Sequence, residues 1–483
     1  MFFQKKPQID LRFFSKTHIS NGGQKDIEKK IQFIRPNTLG DINGKEAIVL
    51  WYQFLRGDSD SVKKLILYNY FDVLGMTFIL DYIFSLIQKN ISVFKTSTRF
   101  YTGDNSSGIK WLTNRQIDTI RNYVEEKICW LKESHLSAAR PLKIIGIDLA
   151  GKEERNTGIC VLRDDKAATQ IMHTDEEIVE YILSEQPDLV SIDAPLSLPE
   201  GRTSVYDTDP ERDKIGIMRY CERELKRRGV NVYPALIKSM QSLTSRGMNL
   251  AKCIRQNGIP VIECFPGAAQ DIIQIPRKKT DISCLKNGLI HFGIHGEYEV
   301  TSVIHDELDA ITAAIVGQFF ISNLYEPIGI PAENDLIVPS TTKITPSEKL
   351  VIGICGEACS GKTTVARYIE AAGFSYIQHT QSGTLPDAEK GNQLLIIDGL
   401  QYAGDYACWK EKFFNEFVLI SIKTPLEIRK ERARIAGNYG DAIMRVNSDI
   451  EFLGNKSQFI VNNDQDLATT QTQVSNILAT LLR

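Results

Sequence analysis

The residues with the sharpest chemical meaning lie at Gly356-x-x-x-x-Gly361-Lys362-Thr363-Thr364, where an apolar run from Leu350 to Cys355 leads into two spaced glycines, a lysine and two threonines. Glycines at those places let the backbone curl, so that consecutive N–H groups from Gly356 through Ser360 to Thr364 face one anion. Lys362 then reaches the outer phosphates of a nucleoside triphosphate, and the Thr363 hydroxyl is placed to ligate Mg²⁺. The spacing predicts an ATP site served by Mg²⁺ or Mn²⁺. The apolar run reads as a buried strand and Thr364 to Gly373 as a helix closed by glycine, which are the elements a phosphate loop needs on either side.

A second group of acids ends apolar runs elsewhere. Gly146-Ile-Asp148 closes one predicted strand, with Thr157 to Leu162 as its hairpin partner; Ile192-Asp193-Ala-Pro195 closes another, and Val261-Ile-Glu263 lies in a third. A predicted helix from His305 carries Asp306 and Asp309, three apart and so on one face. Carboxylates gathered at neighbouring strand ends hold hard divalent cations and leave room for water and phosphate. Asp148, Asp193, Glu263 and either Asp306 or Asp309 are therefore expected to hold Mg²⁺ or Mn²⁺ for phosphodiester chemistry. As turn formers and helix caps the same aspartates need no cation, but burying four acids together without one sets repulsion and desolvation against the fold.

This pattern resembles the RNase H-like superfamily, and in particular the predicted nuclease family catalogued as domain of unknown function number 429. The likeness covers most of residues 142 to 320. It rests on Gly-Ile-Asp148, Ile-Asp193-Ala-Pro, Arg219-x-Cys-Glu222-x-Glu, Leu243-Thr-x-Arg246-Gly, Glu263-Cys-Phe-Pro-Gly-Ala and His305-Asp-Glu-Leu-Asp309-Ala. The resemblance implies an RNase H-like fold and, by superfamily analogy, metal-dependent cleavage of nucleic acid. Actin-like and sugar-kinase ATPases also begin with Gly-Ile-Asp-x-Gly, where the aspartate serves ATP-bound Mg²⁺. Arg219 to Arg228 and Arg277-Lys-Lys279 are basic runs that suit a phosphate backbone or, equally, a solvated helix face.

Beyond the phosphate loop, Gln393 to Asp398 is a predicted strand ending on an acid that reaches Mg²⁺ or a substrate hydroxyl. Phe417 to Pro425 predicts another strand. A helix from Leu426 follows with Arg429, Arg432 and Arg434, whose planar guanidinium forks suit a transferring phosphoryl group, and at least one of the three is expected on an exposed face. With Gln458-Phe-Ile-Val-Asn-Asn-Asp464 this order resembles small nucleoside-monophosphate and dephospho-coenzyme A kinases over about residues 350 to 483. The segment from Phe374 to Gly391 matches no acceptor signature.

In the first part of the chain, Glu46 to Leu55 and Val62 to Val73 predict amphipathic helices, with Tyr68 and Asp72 four apart. They resemble the C-terminal part of YprB-type RNase H-like exonuclease domains, whose Tyr-x-x-x-Asp element holds metal and places water. Such domains need an earlier Asp-x-Glu on a buried strand; Asp26-Ile-Glu28 lies among lysines with no apolar run before it, so this module is expected to be inactive.

These elements fall into three modules separated by Ser134 to Pro141 and by a stretch from Pro331 to Pro346 that carries three prolines. The expected architecture is α/β multidomain: a mainly helical N-terminal module at 1–138, an RNase H-like mixed-sheet domain at 141–330 and a P-loop parallel-sheet kinase-like domain at 348–483. The 483 residues, 42% of them hydrophobic, are ample for separate cores. A net charge of −3 argues against wholesale coating of nucleic acid, and nine cysteines without a C-x-x-C pair fit a reducing compartment. With no apolar segment after Met1-Phe-Phe-Gln-Lys-Lys-Pro and no run long enough to span a bilayer, the expected location is cytoplasmic, without membrane contact. The expected function is a metal-dependent nuclease coupled to an ATP-binding kinase-like module, with nucleotide and nucleic acid as partners. The alternatives are a nucleotide or small-molecule kinase whose other modules bind or regulate, and a non-catalytic nucleotide-responsive assembly protein.

Overall fold

The computed structural model describes residues 19, 22–39, 42–88, 142–277, 281–340, 349–379, 393–436 and 448–482. The predicted helix from Arg115 to Glu133, the joint from Ser134 to Pro141, Lys278 and Lys279 of the second basic run, and residues 380–391 of the acceptor segment lie outside these. Among the described residues no helix is long and apolar enough to cross a membrane, and every cysteine is a free thiol.

The described chain forms two compact units, one of residues 19–88 with 281–284, the other of residues 142–277 with 285–482. The first is helical, with Gln24–Lys30, Gly44–Leu55 and Ser59–Gln88. Asn43 starts the second helix by accepting from the Lys45 and Glu46 amides while Glu46 returns a bond to the Asn43 amide, a capping box. Phe33, Leu39, Phe71 and Phe78 form its main core.

The second unit holds two sheets. The larger is mixed, in the order β3 (Lys166–Met172), β2 (Thr157–Arg163), β1 (Lys143–Asp148), β4 (Leu189–Asp193), β5 (Val261–Cys264), β7 (Leu336–Pro339), β6 (Tyr325–Ile328). β2 is antiparallel to β1 and β3, whereas β1, β4, β5 and β7 are parallel to their neighbours in the series. One face is covered by the helix His305–Ile321, which is apolar nearly all round and almost wholly buried, as a helix sealed between layers must be. It approaches closely because a Cβ on Gly146 would lie 2.1 Å from the Ala310 carbonyl oxygen, so only glycine fits there. On the other face Ile145, Ile147, Val190, Ile192 and Val261 pack with residues of the helices Asp175–Glu185 and Gln241–Gln256.

The proline-bearing stretch from Pro331 is not simply a joint. Leu336–Pro339 is a fully buried strand, because its apolar Leu-Ile-Val pairs in parallel with Glu263 and Cys264 of β5. The strands β3 and β6 are likewise not evident from residue pattern.

The smaller sheet is parallel throughout: β12 (Phe459–Asn462), β11 (Phe417–Lys423), β8 (Leu350–Gly356), β10 (Leu394–Leu400), β9 (Ser375–Gln378). The helices Lys362–Ala371 and Leu467–Leu481 pack on one face through Val365, Ile369, Val474 and Ile477, and Ala403–Lys412 on the other through Tyr406 and Trp409. The two sheets are joined by charge and ring contacts. Glu411 pairs with Arg255 at 2.8 Å and accepts the Val261 amide at 2.7 Å, and the Phe320 and Phe414 rings meet edge to face at 5.9 Å.

Candidate functional sites

The phosphate loop follows β8, the central strand of the parallel sheet. Gly361 takes φ +94°, and a Cβ there would lie 2.2 Å from Asn463 Nδ2, so the loop demands glycine at this point. Lys362 Nζ donates to the Gly356 and Glu357 carbonyls, both at 2.9 Å. Burial pulls the Lys362 pKa down against the opposing pull of Asp398. Thr363 Oγ1 and the Tyr376 hydroxyl both donate to Asp398 Oδ2, at 2.7 and 2.9 Å. Asp398 ends 3% exposed, with its Oδ1 buried and unmet by any hydrogen-bond donor of the protein.

The Ser360 hydroxyl is also buried without a hydrogen-bond partner, while the Ser360 carbonyl is tied to Asn463 Nδ2 at 2.7 Å and Thr424 Oγ1 at 2.9 Å. Thr364 is exposed on the first turn of the following helix. Arg429 and Arg432 both reach the loop, bonding the Ala358 and Ser360 carbonyls at 3.4 Å. Arg434 instead pairs with Glu431 on the exposed face of the same helix.

In the mixed sheet the register decides which acids meet. Asp148 and Asp193 are Cα partners across β1 and β4. Gly146 and Ser191, each two residues earlier, lie against the helix His305–Ile321, so both aspartates leave the sheet on that face. The helix begins there too, since a Cβ on Gly158, the Cα partner of Asp148, would lie 2.0 Å from the Asp306 carbonyl oxygen. Asp306 pairs with His305 Nδ1 at 3.0 Å, and the buried Asp309 accepts from Gln270 Nε2 at 2.8 Å.

Glu263 does not join them. Its Cα partner is Ile192, so its side chain lies on the opposite face with Val261 and the aliphatic core. There it takes a two-pronged bond from Arg219 at 2.7 and 2.6 Å and accepts the Leu196 amide at 2.8 Å. Burial alone would lower the Arg219 pKa, but the charge and hydrogen bonds of Glu263 override it and hold the guanidinium well above the ordinary value. Glu263 is thus placed as an anchor for the turn that follows Asp193, not beside the aspartates. Arg246 does the same for the turn after Asp148, bonding the Ala150 and His173 carbonyls and Asp175. The arginines of Arg219-x-Cys-Glu222 and Thr-x-Arg246-Gly are the sequence signal for this tethering.

Among the described residues no three His, Cys, Asp or Glu side chains form a metal-holding group. What the mixed sheet offers a cation is the adjacent pair Asp148 and Asp193. That donor set fits Mg²⁺, which takes one or two carboxylates and completes its shell with water and phosphate oxygen. In the parallel sheet the orphaned Asp398 oxygen beside Thr363 fits it as well.

In the helical unit Asp26-Ile-Glu28 lies on the helix Gln24–Lys30 and not on a strand. Glu28 is nevertheless buried, and Arg35 bonds it through Nε and Nη2 at 2.7 Å while its Nη1 lies 2.7 Å from Asp72. The Asp-x-Glu and Tyr-x-x-x-Asp elements named in the sequence do meet, at Glu28 and Asp72, but a guanidinium stands between them where a cation site would need an opening.

A family model of the RNase_H superfamily matches residues 2–84. A UPF0200 protein from Methanosarcina acetivorans is 36% identical over 53 residues, 11% of this chain and 28% of that protein. The chain thus spans little more than a quarter of the length of the curated relatives it matches. Among solved structures, shikimate kinase from Acinetobacter baumannii in complex with shikimate is 14% identical and aligns with 28% of this chain and 94% of its own, at a TM-score of 0.23. Shikimate kinase from Bacteroides thetaiotaomicron is 16% identical over 27% of this chain and 98% of its own, at 0.21.

Proposed function

We propose that the parallel-sheet module binds ATP with Mg²⁺ and transfers the terminal phosphoryl group. Asp398 carries this reading: one carboxylate oxygen is shared by Thr363 and Tyr376, and the other is buried and unmet. Leaving a buried carboxylate oxygen unpaired opposes folding, and a divalent cation beside the Thr363 hydroxyl is the partner that relieves it. Thr363 and Asp398 are the residues that hold Mg²⁺, which when bound neutralises charge on the β- and γ-phosphates. The loop amides from Gly356 to Thr364 cradle the phosphates, and Lys362 exchanges its two carbonyl partners for phosphate oxygens. Arg429 and Arg432, already at the loop, stabilise charge on the group in transit. Calorimetric titration with ATP and Mg²⁺ and an assay for ADP release test this; a folded protein that binds no ATP removes it.

The shared rung of Asp148 and Asp193 favours a second chemistry. We propose that the mixed-sheet module hydrolyses phosphodiester bonds of nucleic acid with Mg²⁺ or Mn²⁺ held by these two aspartates, with Asp306 at the same sheet end. Loss of a labelled oligonucleotide that depends on the metal is the test. If neither activity appears and ATP changes the oligomeric state, the chain is a nucleotide-responsive assembly protein. Free thiols fit a reducing compartment, and the cytoplasm is the proposed location.

A further inference from the structure

Asp398 stands where β10 stops being a regular strand. The register of β10 against β8 shifts between Asp398 and Leu400, and Gly399 between them takes φ +90°. An irregularity of this kind re-aims a side chain, so the backbone ladder alone does not set how the carboxylate is turned. Two side chains do. Tyr376 on β9 is the Cα partner of Ile396, two residues before Asp398, so the phenol and the carboxylate lie on one face of the sheet. The helix Lys362–Ala371 covers that face, with Thr363 and Arg367 four apart on one side of it. Thr363 and Tyr376 both donate to the same oxygen, Asp398 Oδ2, and Arg367 lies over the Tyr376 ring at 3.9 Å while pairing with Glu370 at 2.8 Å.

A carboxylate oxygen has two lone pairs. On Asp398 Oδ2 both are taken, and the other oxygen, Oδ1, is the one left buried without a donor. Resting on the phosphotransfer reading, we infer that Tyr376 is a specificity-determining residue for the metal of that site: by filling Oδ2 beside Thr363 it restricts Asp398 to a single ligating oxygen and so selects Mg²⁺ over Ca²⁺. Mg²⁺ demands a small, near-octahedral shell, keeps several waters and is satisfied by one oxygen of a carboxylate. Ca²⁺ takes about six to eight oxygens at longer distance and readily uses both oxygens of one carboxylate.

Thr363 alone fills only one lone pair of Oδ2, so the second donor decides how many oxygens Asp398 can offer. Burial, and after it the bond to Asp398, raise the Tyr376 pKa above the ordinary tyrosine value, and the donor proton stays in place at neutral pH. Arg367 attracts the ring face and fixes the angle at which the hydroxyl meets Oδ2.

The test uses the full chain and β,γ-methylene ATP, titrated calorimetrically in saturating Mg²⁺ and again in saturating Ca²⁺. The unmodified protein is expected to bind the nucleotide more tightly with Mg²⁺. Tyr376→Phe keeps the ring under Arg367 and frees one lone pair of Oδ2. It is expected to lower the ratio of the Ca²⁺ Kd to the Mg²⁺ Kd about 10-fold, through weaker binding with Mg²⁺ and equal or tighter binding with Ca²⁺. A merely structural loss would weaken both alike and leave the ratio where it was. Arg367→Leu leaves the phenol in place and is expected to shift the ratio the same way by a smaller factor; it carries the test if Tyr376→Phe does not fold. A wild-type ratio in Tyr376→Phe, or in Arg367→Leu where that variant alone folds, overturns the assignment, as does an unmodified protein that binds the nucleotide equally with either metal. Protein that binds no nucleotide with either metal fails earlier, at the phosphotransfer reading itself.

Discussion

Asp148 and Asp193 stand opposite each other on the last shared rung of β1 and β4, and both side chains leave the sheet beneath the first turn of the helix His305–Ile321. Two carboxylates in this relationship repel one another unless a cation lies between them. Asp193→Asn is therefore expected to abolish Mg²⁺- or Mn²⁺-dependent cleavage of a labelled oligonucleotide and to leave the ATP Kd unchanged. In metal-free buffer the variant should melt at or above the wild-type temperature. Cleavage at the wild-type rate by the variant, or none by the unmodified protein on DNA or RNA, ends the nuclease reading.

Lys362→Ala is expected to eliminate ATP binding in a calorimetric titration while circular dichroism and melting temperature stay close to wild type. Lys362 bonds only loop carbonyls, so its loss opens no cavity in the core. Unchanged ATP affinity would remove the nucleotide site.

Glu263→Gln separates an anchor from a metal ligand. Taking the charge from one member of a buried, two-pronged ion pair is expected to cost about 3–5 kcal/mol in urea unfolding, because Arg219 stays buried with its charge incompletely compensated. A variant of wild-type stability that has lost metal-dependent cleavage would instead make Glu263 a ligand.

Tyr68 reports on the helical unit. Its pKa is pushed up to about 12, first by burial and then by its hydrogen bond to Asp72. The folded-state pKa is raised, so the associated stability is fully present below the ordinary tyrosine value of about 10 and is lost as pH climbs through about 12. Tyrosinate absorbance, taken as the difference between wild type and Tyr68→Phe, should rise near pH 12; Asp72→Asn should move that rise downward without changing nuclease activity. A rise near 10 in the wild type contradicts the packing around Arg35, and a large loss of cleavage in Asp72→Asn would give this unit a catalytic part.

Apolar runs that stop on an acid make β1, β4 and β10 legible in the sequence, and the apolar run into the glycine spacing of the phosphate loop does the same for β8. The face of each acid is not legible there. Side chains alternate along a strand, and Glu263 lies opposite Ile192, one residue short of the rung that holds Asp193; that single step puts it on the other side of the sheet. Glu28 is hidden for a different reason: its lysine-rich neighbours suggest a surface, and only the fold brings Arg35 to it.

The Arg255 to Glu411 contact gives the two sheets a common fate. Glu411 closes the far end of the helix Ala403–Lys412 and at the same time caps the first amide of β5, so a cut between the sheets would strip a largely covered carboxylate of both partners and bare Phe320 and Phe414. The halves are therefore not interchangeable cassettes. Heat or denaturant should melt them in one transition, and either half expressed alone should aggregate or unfold, whichever chemistry it carries.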